Sequence, residues 1–185
     1  MKSRLVSREA LSEAEEATML ALLSSHFHGV TPDRFAADLE DKNWVLLLED
    51  ESGIRGFSTL SIYETAGPGG EPLTVVYSGD TIMEQGAWST AALPKSWIAA
   101  VRALGEKYSR GRLIWLLLTS GFRTYRFLPV FWRDFWPRHD DPMPAEVREL
   151  RDHLASGRFE GWYRDGIVRF PEPGRRPIRA RSMED

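Results

Sequence analysis

Residues 77–97 of the chain read Tyr-Ser-Gly-Asp-Thr-Ile-Met-Glu-Gln-Gly-Ala-Trp-Ser-Thr-Ala-Ala-Leu-Pro-Lys-Ser-Trp. We predict a strand from Leu73 to Ser78, then a polar turn and an amphipathic helix from Ser96 to Tyr108. Such a junction points free backbone N–H groups and the positive end of the helix dipole at one spot, where α/β proteins commonly bind phosphate groups. The stretch lacks the paired glycines that let a pyrophosphate approach closely. It therefore indicates an architecture more firmly than a reaction.

The segment after this junction predicts a crossover between two parallel strands. In the helix, Trp97, Val101, Leu104 and Tyr108 recur at the spacing of a core-facing stripe. Gly111 then breaks the chain, and the continuous apolar run 113–118 is typical of a buried strand. A strand, a helix and a strand in this order form a crossover unit, so 113–118 should lie parallel to 73–78.

The strands before this unit are expected to be antiparallel. Trp44 to Leu48 is an apolar run bounded by charge, and the turn Asp50-Glu-Ser-Gly53 leads into a second strand from Ile54 to Tyr63. With the strand at 73–78 this makes a meander. The fold class is therefore α/β (α+β), with a mixed, mostly antiparallel sheet flanked by helices.

Helices are predicted at both ends of the chain. Ser12 and Glu15 form a capping box, and Thr31-Pro32 starts a second helix, so the first 41 residues are predicted to hold two helices. A further helix over 125–135 is expected to be distorted near Pro129. Pro144 to Ser156 predicts a helix stopped by Gly157, and 166–170 a last strand. We predict a domain over 1–140 and a C-terminal extension over 141–185, packed on that domain.

Composition narrows the class of protein. The 185 residues carry a net charge of −3, which disfavours a nucleic-acid or anionic-membrane binder. There is no cysteine, so disulfides, thiolate catalysis and cysteine-ligated metals are excluded. The N-terminus has no apolar stretch typical of a signal peptide, and the apolar run 113–118 is too short to span a bilayer. We expect a soluble, cytoplasmic, bacterial-type protein.

This order of elements, over roughly residues 8–138, resembles the GNAT superfamily, whose members have the acyl-CoA N-acyltransferase fold. In that family the third strand diverges from the next, parallel strand, and acyl-CoA lies in the gap. The resemblance implies an acyl-CoA cosubstrate, such as acetyl-CoA, and direct acyl transfer to a small-molecule or protein amine.

The family holds the CoA pyrophosphate with a loop of pattern Gln/Arg-x-x-Gly-x-Gly/Ala. The resemblance implies that Gln85 takes the first position, with Trp88 and Thr90 where the two glycines stand. It also implies that the backbone of Ile82 and Met83 contacts the pantetheine. Trp88 and Thr90 depart from the pattern, because glycine is what lets the backbone touch the phosphate oxygens.

The last family signature resembles Asn-x-x-Ala-x-x-x-Tyr-x-x-x-Gly-Phe, and its Tyr often acts as the general acid on the departing thiolate. The best alignment places Phe131 at the Tyr position, where it has no hydroxyl to donate. Tyr125 lies about a turn and a half earlier on the same segment. The resemblance leaves Tyr125 as the replacement acid in a shifted register.

Polar residues follow both parallel strands and are candidates for catalysis. Asp80 can act as a general base or contact a substrate ammonium, or it can simply cap a turn. Ser120 and Arg123 can bind an anion, or only cap the next helix. Their place at the same end of the sheet favours one shared site.

Two further patterns have two interpretations each. His26 and His28, with the distant His139, have metal-ligating chemistry, but histidines that end a helix are ordinary, and no metal is predicted. The aromatic residues of 122–136 are too dense for one buried stripe, and they indicate either an apolar substrate pocket or a homodimer contact.

The sequence therefore leads to two functional hypotheses. The first is an acyl-CoA-dependent N-acyltransferase acting on an amine of a small-molecule substrate or of a protein, with a base such as Asp80. The second is a non-catalytic protein of the same fold that binds a ligand or a partner, which the substituted glycines and the absent Tyr favour. Fold alone does not decide between them.

Overall fold

A computed structural model describes residues 1–84, 92–108, 110–119, 122–170 and 176–177 of the chain. Its strands are β1 (Lys2–Ser7), β2 (Phe27–His28), β3 (Trp44–Asp50), β4 (Gly53–Ala66), β5 (Pro72–Met83), β6 (Arg112–Leu117), β7 (Tyr163–Arg164), β8 (Ile167–Val168) and β9 (Arg176–Pro177). Its helices are α1 (Glu13–His26), α2 (Pro32–Glu40), α3 (Ala92–Lys107), α4 (Phe122–Tyr125), α5 (Phe127–Phe131) and α6 (Ala145–Phe159), with 3-10 turns at Arg8–Ala10 and Glu160–Trp162.

The main sheet has five strands in the order β1-β3-β4-β5-β6. The first three pairings are antiparallel and the last is parallel, with Leu73 beside Arg112 and Ser78 beside Leu117. The predicted mixed sheet and its parallel pair are confirmed. Gly111 makes the entry into β6 possible, since it has φ +71° and an added Cβ would lie 1.7 Å from the Pro72 carbonyl oxygen.

Helices cover both faces of this sheet. α1 and α2 pack on one face, against side chains that include Val45, Leu47 and Phe57. α6 packs on the same face further along, against Leu73 and Val75. α3 covers the opposite face, on a cluster of buried side chains: Leu46, Leu60, Ile62 and Val76. Burial of each such side chain is worth about 1.5–3 kcal/mol, so the two layers supply most of the stability of the fold.

The N-terminal helices begin where the sequence predicts. Ser12 accepts from the Glu15 N–H at 3.3 Å, and Glu15 Oε2 accepts from the Ser12 N–H at 2.8 Å, so the capping box is present. Thr31 caps α2 with Pro32 in its first turn. The edge strand β1 is absent from the sequence-based prediction, because its charged residues hide the alternation of a strand. Arg4 pairs with Glu49 at 2.8 Å and also with Glu15.

Several predicted boundaries are wrong. α3 begins at Ala92 rather than Ser96, and α6 continues through Gly157 to Phe159. The single helix expected over 125–135 is two short helices, α4 and α5, with Pro129 inside α5. Pro129 fits the first turn of a helix, where its missing N–H has no partner to lose. The last predicted strand is only β8, which pairs with β7 outside the main sheet.

The C-terminal segment carries α6 onto the main sheet through Leu150 and Leu154, which contact Leu73 and Val75. The division of the chain at residue 140 stays a prediction. Among the described helices, none has the length and apolar character needed to cross a membrane.

Candidate functional site

The two parallel strands separate at one end of the sheet, and a cavity opens there. β6 ends at Leu117, opposite Ser78, whereas β5 continues to Met83, paired only with β4. The sequence predicted a turn after Ser78, so the longer β5 corrects that prediction. The cavity has a volume of about 310 Å³. Its lining comes from both strand ends, α3 and α5, and includes Ser78, Gly79, Asp80, Thr81, Ile82, Met83, Leu93, Trp97, Ile98, Trp115, Leu117, Leu118, Phe127, Phe131 and Trp132.

A bulge in β5 shapes the middle of this cavity. Thr81 pairs with Ser58 and Ser78 pairs with Leu60, so Gly79 and Asp80 together face one residue of β4. A bulge of this kind bends the strand and redirects a side chain. After the bulge, residues 81–83 pair with β4 again, so β5 continues past Ser78.

Asp80 lies on this bulge, half-buried, and lines the cavity. Burial raises the pKa of the Asp80 carboxyl to about 6, and the positive charge of Lys42 opposes that rise. A carboxyl group with a pKa near the working pH is suited to accept a proton in catalysis. Desolvation together with a specific charged neighbour is typical of functional sites.

Lys42 is a buried cation beside Asp80 that sequence analysis did not single out. Its side chain is 8% exposed, and its ammonium donates to the Asp38 carbonyl oxygen at 3.0 Å and to the Asp41 carboxylate at 2.9 Å. It packs on the bulge, where a Cβ added to Gly79 would lie 2.6 Å from Lys42 Cε. The sequence gives no signal for this contact, because a lysine after a helix is ordinarily exposed.

Arg158 anchors the end of α6 next to this group. Its guanidinium lies 4.0 Å from the centroid of the Tyr77 ring and also pairs with Asp41. Lys42 Nζ lies 5.4 Å from the same ring. Burial raises the pKa of the Tyr77 hydroxyl, and the Arg158 charge opposes this rise. Asp41 therefore bridges two cations that both lie near the Tyr77 ring. These contacts hold the ends of α2 and α6 against β5, on the strand that carries Asp80.

Three tryptophans form the wall of the cavity beneath α3. The ring centroids of Trp97 and Trp115 lie 4.4 Å apart, and those of Trp115 and Trp132 lie 4.5 Å apart. The Trp115 indole N–H donates to Ser78 Oγ at 3.0 Å, which ties this wall to the last residue of β5 that pairs with β6. The aromatic residues of 122–136 thus contribute to a pocket through Phe127, Phe131 and Trp132.

The predicted site residues fall into three groups. Asp80, Ile82 and Met83 line the cavity together. Tyr125 is not among the lining residues, and its hydroxyl donates to the Pro137 carbonyl oxygen at 2.7 Å. Gln85, Trp88 and Thr90 lie outside the described residues, as does Ser120. The roles assigned to all these residues remain predictions.

Other places in the structure offer less for chemistry. Within the described ranges, no three His, Asp or Glu side chains gather in a way that suits a metal ion. His26 Nδ1 contacts the Leu22 carbonyl oxygen at 2.9 Å, and His139 is exposed. A larger depression of about 800 Å³ lies over α6. It is an open surface feature away from the strand ends, so we place the candidate site at the divergence of β5 and β6.

Comparison with known proteins identifies the fold. No protein-family profile matches the chain, and no curated protein matches it. The ribosomal-protein-alanine N-acetyltransferase of Brucella melitensis biovar Abortus 2308 aligns with a TM-score of 0.52 at 16% identity, covering 77% of this chain and 100% of its own. AAC(6')-Iy, solved with the bisubstrate analogue CoA-S-monomethyl-acetylneamine, aligns with a TM-score of 0.55 at 13% identity, covering 78% of this chain and 100% of its own.

A third similar structure is the aminoglycoside acetyltransferase meta-AAC0020 from an uncultured soil metagenomic sample. It aligns with a TM-score of 0.50 at 13% identity, covering 77% of this chain and 95% of its own. Identities this low establish the fold alone. The chain has the GNAT acyl-CoA N-acyltransferase fold.

Proposed function

We propose that this protein is an acyl-CoA-dependent N-acyltransferase that transfers its acyl group directly to an amine of a small molecule or protein. The observation that carries the proposal is the half-buried carboxyl of Asp80, placed on a bulge in the gap between two diverging parallel strands. The gap offers an apolar channel for a thioester arm, and Asp80 offers a base within it. Both are held by paired strands, which favours a fixed geometry.

In the proposed reaction, the amine nitrogen attacks the thioester carbonyl carbon. The new C–N bond forms, the C–S bond breaks, and the nitrogen gives its proton to the Asp80 carboxylate. The CoA thiolate leaves and takes a proton from water, and the protonated Asp80 gives its proton to the hydroxide formed, which restores the carboxylate. Asp80 suits this step because its pKa of about 6 keeps it ionised at neutral pH and still basic enough to share a proton.

The backbone of the bulge has a second part in the proposal. β6 pairs with β5 only as far as Ser78, and β5 continues along the cavity through residues 79–83. In the proposal, the backbone of this stretch hydrogen-bonds an amide-bearing arm. Ile82 and Met83 would hold the pantetheine in this way. Gln85, Trp88 and Thr90 would lie along the pyrophosphate, in line with the sequence-based prediction.

The test is thiol release from acetyl-CoA and longer acyl-CoAs with a panel of primary amines. Asp80→Asn keeps the shape and removes the base, so turnover should fall by about 10²–10⁴-fold while the acyl-CoA Kd stays within a few-fold. Asp134→Asn, an exposed carboxylate outside the cavity, is the matched control and should keep the wild-type rate. Equal rates for wild type and Asp80→Asn would show that Asp80 is not the base.

The second candidate is a non-catalytic protein that binds a ligand in the same cavity. One observation favours it: no tyrosine is among the described residues that line the cavity. The sequence resemblance agrees with this, since it puts Phe131 at the position of the family's Tyr. A CoA thioester that binds the wild type but is never turned over with any amine would select this alternative.

A further inference from the structure

The tryptophan wall of the cavity is a recognition surface for an apolar group. Trp97, Trp115 and Trp132 are in mutual contact, with Trp132 against Trp97 at 5.8 Å between ring centroids. Trp97 is nearly buried, whereas Trp115 and Trp132 are half-buried and line the open volume. Indole faces and edges attract other rings and aliphatic groups beyond the gain from burial alone.

Two hydroxyl groups of the cavity lining are already hydrogen-bonded within the protein. Ser78 Oγ accepts the Trp115 N–H at 3.0 Å, and Thr81 Oγ1 bonds Ser58 Oγ at 2.8 Å. Among the described lining residues, Asp80 is the one with a charged side chain, and that charge is negative. An acidic group placed against the indoles would therefore lose water and meet no cationic side chain among the described lining residues. The wall discriminates against anionic occupants.

The wall lies next to the reacting position. Asp80 and Ser78 are two residues apart on β5, at most about 7 Å along the chain, and both line the same cavity. The Trp115 indole, which is hydrogen-bonded to Ser78 Oγ, therefore lies on the same cavity lining as Asp80, next to the position that the proposal gives to the thioester.

The cavity extends from the strand ends that the proposal gives to the pantetheine arm to the three tryptophans. Its volume of about 310 Å³ has to hold the end of that arm, the amine and the acyl group together. Acetyl has a single methyl beyond its carbonyl and would leave much of the indole surface uncovered. Resting on the proposed function, we infer that this protein takes a bulky apolar acyl group, with an aryl group on the tryptophan wall as the preferred substituent.

The experiment is isothermal titration of the wild-type chain with CoA, acetyl-CoA, isovaleryl-CoA, phenylacetyl-CoA and succinyl-CoA. Phenylacetyl-CoA should bind roughly tenfold or more tighter than acetyl-CoA, because a ring buries far more apolar area than a methyl. Isovaleryl-CoA should fall between them, and succinyl-CoA should bind more weakly than acetyl-CoA. Because all the ligands carry the same CoA moiety, its contribution cancels in the ratios of their dissociation constants.

Two variants test whether the preference for phenylacetyl-CoA arises from the aromatic residues of the cavity. Trp132→Ala and Phe131→Ala should reduce the ratio of phenylacetyl-CoA affinity to acetyl-CoA affinity several-fold, since both residues line the cavity. Trp162→Ala is the matched control, because Trp162 is 49% exposed and lies outside the cavity. The wild-type ratios decide the question even where a variant fails to fold.

The outcomes separate the inference from its premise. Acetyl-CoA binding as tightly as phenylacetyl-CoA to the wild type would overturn the inference and leave the proposed function standing. A preference for succinyl-CoA would overturn it as well. Binding by none of the CoA species would overturn the proposed function and the inference together.

Discussion

Removal of the Asp80 charge should stabilise the fold at neutral pH. The pKa of this carboxyl is raised from 3.8 to about 6, mainly because burial disfavours its charged form. At 1.36 kcal/mol per pH unit, the rise means that ionised Asp80 destabilises the folded state by about 3 kcal/mol above pH 6. Asp80→Asn keeps the shape without the charge, so we expect a gain of up to about 3 kcal/mol at pH 7.5.

The sign of the pH dependence follows from proton linkage. Between pH 4 and pH 6 the folded state keeps the Asp80 proton that the unfolded state has already lost. The contribution of Asp80 to stability therefore falls as the pH rises through this window. The difference between Asp80→Asn and wild type should be small at pH 4, grow between pH 4 and 6, and level off above pH 6.

The assay is urea unfolding at pH 4, 5, 6, 7 and 8, followed by tryptophan fluorescence and far-UV circular dichroism. Differences in midpoint multiplied by a common m-value give the stability change at each pH. Asp134→Asn serves as control, since an exposed carboxylate should produce no comparable step. Subtraction of the wild-type curve removes the titration of all other groups.

A specific result would refute this reasoning. Should Asp80→Asn be less stable than wild type at pH 7.5, or differ from it by the same amount at every pH, the carboxyl is not held in a desolvated site. The ionised carboxyl would then not destabilise the folded state. A catalytic residue is expected to lower stability in this way, because activity and stability place opposite demands on the site.

Further predictions concern the surroundings of Asp80. Gly79→Ala should destabilise the fold by about 1–3 kcal/mol in urea unfolding, because the added Cβ would lie 2.5 Å from Thr59 Oγ1 and 2.6 Å from Lys42 Cε. Gly157→Ala, which meets nothing within 4 Å inside α6, should instead stabilise by about 0.5–1 kcal/mol. Lys42→Met should move the pKa of Asp80 above about 6, read from the carboxyl carbon in an NMR titration, whereas exposed Lys95→Met should leave it in place. An unchanged titration in Lys42→Met would exclude a direct influence of that ammonium on Asp80.

The strand pairing could be predicted because it rests on local patterns. The strand at 73–78, the apolar run at 113–118 and the amphipathic helix between them predict a crossover, and β5 and β6 are indeed parallel. Edge strand β1 could not be predicted in this way. Its partners at Glu49 and Leu48 lie more than 40 residues away, and its own residues show no apolar alternation.

In the candidate site, too, the features that depend on neighbouring residues could be predicted and those that depend on distant contacts could not. Asp80 was assigned to the strand end from its neighbours, and it does line the cavity there. The bulge that redirects it depends on the register of β5 against Ser58 and Leu60, which no short pattern encodes. The cations beside it come from the end of α2 and the end of α6, more than 100 residues apart, and meet at Asp41.

The tryptophan wall could be predicted from the sequence only in part. The excess of aromatic residues after 121 indicated either a pocket or a homodimer contact, and the structure places Phe127, Phe131 and Trp132 on the cavity. Trp97 was expected only as a core residue of its helix. Its contact with Trp115 requires the crossover to bring α3 over β6, which is a tertiary consequence of the fold.

The most direct measurement of the central claim is amide chemical-shift mapping of the protein titrated with acetyl-CoA. Binding at the diverging strands should perturb the amides of residues 79–83 and 117–119, together with the start of α3, and leave those of the open depression over α6 unchanged. Perturbations concentrated on α6 around Arg148 and Asp152, or none at saturating acetyl-CoA, would contradict the account.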